Sequence, residues 1–97
     1  MRTVAFHPEA EAEFSAAARY YEAQAENLGF DFISSVERTD ARLAAFPESG
    51  HPFGSRLHRA LVPGFPYALV YNLASDHLFI IAVAHLHRRP GYWRERT

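Results

Sequence analysis

The sequence predicts an α+β fold: a strand, a two-helix hairpin, then a three-stranded antiparallel meander, with the helices packed on one face of the sheet. Three observations carry this. From residue 8 to residue 46 the apolar side chains recur at spacings of three and four, as on one face of a helix. After residue 55 they alternate or run continuously in three short segments. Those segments are separated by only a few turn-forming residues, which joins neighbouring strands antiparallel.

Thr3–Phe6 is short and mostly apolar, and it reads as a first strand pairing along a sheet edge. His7-Pro8 stops it, and Pro8 suits the first turn of a helix, where its missing N–H costs nothing. Glu9, Glu11 and Glu13 favour the positive end of that helix. Ala10, Phe14, Ala17, Ala18, Tyr21 and Ala25 make one apolar stripe, so the helix should run from Pro8 to about Ala25. The stripe is rich in alanine, which admits a close neighbour. Asn27-Leu28-Gly29 is a short break. A second helix follows from Leu28 to Phe46, with Phe32, Ile33, Val36, Leu43 and Phe46 on its apolar side and Glu37, Arg38, Asp40 and Arg42 on its wet side. Pro47 ends it.

Pro47–Gly54 (PESGHPFG) is a loop by composition. Arg56–Val62 is the next strand candidate, with Leu57 and Leu61 on the same face as Arg59. Pro63-Gly64-Phe65-Pro66 turns the chain. Tyr67–Leu73 follows, with Tyr67, Leu69, Tyr71 and Leu73 sharing a face. Ala74-Ser75-Asp76 is a tight link. His77–His85 is nearly all apolar, as expected of a strand covered on both sides. Pro90-Gly91 then turns the chain so that Tyr92 and Trp93 can fold back. Beyond Trp93, Arg94–Thr97 is expected to fray.

Ninety-seven residues, 48% of them hydrophobic and 14% aromatic, suit one small domain spanning 1–97. There is no cysteine, which removes disulfides, thiol catalysis and thiolate metal sites. All ten basic residues are arginine, so any positive chemistry is guanidinium chemistry, suited to carboxylate or phosphate. No signal peptide is visible, and the longest apolar run, Leu78–Ala84, is too short to span a bilayer. The expectation is a soluble cytoplasmic protein with no membrane partner. Net charge is −1 but unevenly spread: −5 over residues 1–50 and +4 over residues 51–97. Such asymmetry fits a surface that faces a polyanion, and equally an acidic helix beside a basic tail.

The segment HLHRRPGYW, His85–Trp93, is the densest in chemistry. His85 and His87 share a side in a strand, but a metal site needs three or four ligands and only Glu95 lies near, so no metal is expected. No serine stands in a nucleophile-elbow setting, and no glycine-rich phosphate loop opens a helix. Metal-independent RNA cleavage remains open. It needs a general acid and base with fixed positive charge. His85, His87 and Tyr92 suit the proton work, and Arg56, Arg59, Arg88 and Arg89 suit the charge. Tyr67, Tyr71, Tyr92 and Trp93 can stack on bases. A bland interaction surface fits the same residues, and Trp93 equally fits a role closing the core.

FHPEAEAEFSAAARYYEAQAENLG and FPYALVYNLASDHLFIIAVAHLHRRPGYW together resemble the RelE/ParE superfamily of toxins from bacterial type II toxin–antitoxin modules. The likeness runs from about Val4 to Trp93 and includes the element order. It implies a toxin held inactive by a cognate antitoxin, which lays a helix or strand on the helix hairpin and sheet. It implies one of two targets. RelE-like members cleave mRNA on the ribosome, with catalytic residues that would fall at His85, His87, Arg88 and Tyr92. ParE-like members inhibit DNA gyrase without that catalytic set. Arg56, Arg59, Arg89 and Trp93 are the expected target-binding residues, and no cofactor is expected. The missing lysines, the long first helix and the many alanines lean towards ParE. A non-catalytic binding module or degenerate toxin is the alternative of another class.

Overall fold

The computed structural model describes residues 3–54, 56–74 and 76–96. Ser55, Ser75 and Thr97, which fall in segments considered above, lie outside the described residues. The elements are β1 (Thr3–Phe6), α1 (Pro8–Gln24), α2 (Leu28–Ala45), β2 (His51–Phe53), β3 (Leu57–Leu61), β4 (Tyr67–Leu73) and β5 (His77–His85), with 3-10 turns at Pro47–Ser49 and Arg94–Arg96. The five strands form one mixed sheet in the order β1-β5-β4-β3-β2. β1 lies at the edge, parallel to β5, with Thr3 opposite His77 and Phe6 opposite Ile80. The other pairings are antiparallel.

The local reasons match the sequence. His7 caps α1 by accepting the Glu9 N–H on Nδ1 at 3.0 Å, and Pro8 opens the helix. Asn27, at φ 69°, makes the left-handed step between the helices, and the Glu22 carboxylate accepts the Asn27 and Gly29 N–H groups at 3.0 and 2.9 Å. The helices cross closely there: a Cβ on Gly29 would lie 2.7 Å from the Ala18 carbonyl oxygen. In β4–β5 the register shifts between Val70 and Tyr71, since Val70 faces Ala82 and Tyr71 faces Ile80. Ile81 is therefore a bulge, and inward-facing residues pass from Leu78 and Ile80 to Val83.

The helices cover one face of the sheet. Ala10, Ala17, Phe32, Val36 and Leu43 pack there on Ala60, Leu69, Tyr71, Leu78, Ile80 and Val83. The opposite face carries a second cluster, in which Trp93 packs with Val70, Ile81, Ala82 and Ala84, bordered by Phe53, Leu57, Phe79 and Tyr92. Residues Ile80–Ala84 are accordingly buried without a break.

Five expectations are corrected. Arg94–Arg96 does not fray but forms a 3-10 turn, held by Arg96 hydrogen bonds to Glu13 and the Ile81 carbonyl. His51–Phe53 is a strand rather than loop. It sits at the sheet edge, where Pro52 has no ladder N–H to supply. Arg56 lies in the turn before β3, not in the strand. Phe46 is exposed, because α2 ends at Ala45 before its ring can turn inward. Asp40 is not on a wet face: its Oδ1 is buried without a hydrogen-bond partner. Burial, with a smaller contribution from Glu37, raises its carboxyl from 3.8 to about 7.

Candidate functional site

On the sheet face opposite the helices lies a cleft of about 100 Å³. Its floor is small and apolar: Ala68, Val70 and Ala84, with Phe53 and Trp93. Arg59 and Arg88 stand at its sides, and His85, Leu86 and Pro90 complete it. β3 presents Arg59 because Leu57, Arg59 and Leu61 share the outer parity while Ala60 faces the helices. The Arg59 guanidinium lies over the Phe53 ring, 5.3 Å from its centroid. Gly91, at φ 86°, takes the left-handed step that returns Tyr92 and Trp93 to the sheet.

The expected site residues are only partly brought together. His85, half-buried at the end of β5, meets the Tyr67 ring edge-on at 5.1 Å and the His87 ring at 5.3 Å. Its Nδ1 accepts the His87 backbone N–H at 3.1 Å, leaving Nε2 for other work. Arg88 stacks over the Tyr92 ring at 3.7 Å and approaches Glu13 at 3.5 Å. His87 and Arg89 are exposed and do not line the cleft, nor does Arg56. Trp93 is buried, packed at 5.6 Å against Phe53 and 5.1 Å against Tyr92, so its ring builds the cleft floor and is not offered for stacking.

Tyr92 departs most from its expected chemistry. Its hydroxyl is buried beside the Glu13 carboxylate without hydrogen-bond geometry. Burial first, then Glu13, pushes its pKa up, and Arg88 and Arg96 oppose this more weakly. A hydroxyl held protonated in this way is a poor base and a reluctant acid. Three residues at the site escaped the sequence reading: Phe53, Glu13 and Arg96. Glu13 had a usable signal, because it lies three residues after Ala10 and four before Ala17, on the face of α1 that is buried. Around it a second groove of about 320 Å³ runs along the β5 edge, lined by Tyr20, Tyr67, Val83, His85 and Arg88 among others.

No three His, Asp or Glu side chains gather as a metal would require among the described residues. Nor does any helix there have the length and apolarity to cross a membrane.

The model of the family described as "ParE toxin of type II toxin-antitoxin system, parDE" matches residues 4–90. The chain belongs to this family of ParE toxins. Among solved structures, a chain described as "Chromosomal ParDE TA system from P. aeruginosa" is similar, with a TM-score of 0.76 at 12% identity. The match covers 90% of this chain and 98% of that one. At that identity the likeness speaks for the fold, two helices on a five-stranded mixed sheet. The comparison with curated proteins gave no match. As a ParE-family toxin, the chain carries its arginine-flanked cleft on the side of the sheet away from the helix hairpin.

Proposed function

We propose that this toxin arrests growth in the cytoplasm by inhibiting DNA gyrase, and that a cognate antitoxin holds it inactive. The observation that carries the reading is the family match over residues 4–90. The geometry supports it. Of the four residues suited to RNA cleavage, only His85 and Arg88 line the cleft, and the Tyr92 hydroxyl is buried and held protonated. What the cleft offers is two guanidiniums beside an apolar floor. That suits an acidic protein surface that inserts an apolar side chain. Arg59 and Arg88 are its contact residues, with Arg56 and Arg89 adding charge nearby.

The antitoxin docks on the helix hairpin. There Ala18, Gly29, Phe30 and Ile33, with Arg19 and Glu22, line an apolar groove of about 260 Å³, and Phe30 is 66% exposed. Purified toxin added to gyrase and relaxed plasmid should abolish supercoiling, and added antitoxin should restore it. Unimpaired supercoiling together with ribosome-dependent mRNA cleavage would transfer the reading to an interferase acting through His85 and Arg88. Unimpaired supercoiling, intact mRNA and normal growth would leave a binding module.

A further inference from the structure

β5 is nine residues long, and β1 pairs with only its first four, His77–Ile80. Among the described residues, no strand lies beside that edge past Ile80. The alternation there is set by the Leu86 N–H, which bonds the Pro66 carbonyl on the β4 side. Val83 therefore turns its N–H away from β4, towards the empty edge. An open edge of this kind leaves backbone groups that need partners.

Two side chains supply them. Val83 N–H donates to Glu13 Oε1 at 3.0 Å, and Arg96 Nη1 donates to the Ile81 carbonyl at 3.0 Å. The two side chains also bind each other in a fork, Nη1 to Oε1 at 2.9 Å and Nη2 to Oε2 at 3.0 Å. Glu13 arrives from α1 on the helix face. Arg96 arrives from the segment that covers the opposite face, so the pair closes the two layers around the edge. Exposed ion pairs contribute little, but here the side chains keep only 9% (Arg96) and 15% (Glu13) of their exposure. Arg88 and Glu9 approach the pair at 3.5 Å each.

We propose that Glu13 and Arg96 are positioning residues: as a side-chain substitute for a missing strand on Ile81–Val83, they hold the His85–Arg96 turn to the sheet and fix Arg88 over Tyr92. Removing the pair detaches the turn while the helix-face core stays intact. The consequence for toxicity rests on the proposed role of the cleft; the structural claim does not.

Residue-resolved amide exchange and the Tyr92 ring signals test the structural claim. In Glu13→Ala, Val83 exchange should rise at least about tenfold relative to Leu69 in β4, as in a local opening. Glu13→Gln keeps an acceptor oxygen and should retain most of the Val83 protection. Arg96→Gln should shift the Tyr92 signals and leave Val83 protected, and it decides the matter if Glu13→Ala does not fold. The double exchange Glu13→Arg with Arg96→Glu should not restore Val83 protection, since a guanidinium accepts no hydrogen bond. Unchanged Val83 exchange in Glu13→Ala, unchanged Tyr92 signals in Arg96→Gln, or protection restored by the double exchange would each overturn the proposal. Growth arrest in the same variants is read separately. Full arrest with Val83 deprotected upholds the substitute strand and overturns the cleft as the working surface.

Discussion

On the helix face of the sheet, the Phe32 ring meets Phe14, Tyr21, Phe65 and Tyr67 at centroid distances of 5.9, 5.3, 5.1 and 5.3 Å. On the other face, one indole packs with Val70, Ile81 and two alanines, and Arg59 and Arg88 flank the cleft beside it. The same strands serve both. The difference lies in what covers them: two full helices on one side, a short C-terminal turn on the other. The helices fill the sheet face they cover, whereas the face closed by a turn keeps a cleft with charge at its sides. The most enclosed rings thus lie on one side of β4 and β5, and the arginine-flanked cleft on the other.

The comparison can be broken by removing its anchors. Phe32→Ala should cost the most, about 3–5 kcal/mol of unfolding free energy, because a fully enclosed ring leaves a cavity that cannot collapse. Thermal or urea denaturation measures it, and a loss under about 1 kcal/mol would mean the helix face repacks freely. Trp93→Ala should cost less, about 3 kcal/mol, since the indole borders an open cleft. Equal losses for the two would erase the distinction between the faces.

Asp40 sharpens the comparison from the helix side. Its folded pKa of about 7 lies above the unfolded value of about 3.9, so the folded state holds the extra proton. Stability from this group is therefore present below the unfolded pKa and declines as pH rises from about 4 to about 7, then levels off. Urea denaturation across that range should show the decline in the native chain and lose it in Asp40→Asn. Parallel profiles would show that the carboxylate finds solvent. The smallest stability change is expected for Arg59→Ala, about 0.5–1 kcal/mol, from loss of the guanidinium over the Phe53 ring. Its effect should appear instead in gyrase inhibition, at least about tenfold weaker, through the loss of a charge that lines the cleft. Undiminished inhibition would remove Arg59 from the site.

How much of this was legible in the sequence follows from the range of the forces involved. β1, β4 and β5 could be bounded to the residue, and the helices to within one, because periodicity, Pro8 and Pro47 are local signals. β2 was hidden because His-Pro-Phe has the composition of a loop and becomes a strand only through pairing with β3. Residue type pointed to Arg59, His85 and Arg88, which the fold brings together around the candidate cleft. It pointed to Trp93 as well, whose burial depends on Phe53, forty residues earlier in the chain. Glu13 looked like a helix-dipole residue because its partners stand 70 and 83 positions away. Asp40 was misplaced for a related reason: helical periodicity shows which residues share a face, not how far the buried surface extends around the helix.

The pairing of β1 with β5, and of Glu13 with Arg96, also sets an order of events. During synthesis β1 and α1 emerge first, yet β1 has no strand to join until residues 77–80 exist, and Glu13 has no guanidinium fork until residue 96 does. Contacts of such long separation are slow to form, because the closure of the chain precedes their reward. Both helices are therefore synthesised before the strands that cover their apolar faces and before the guanidinium that binds Glu13.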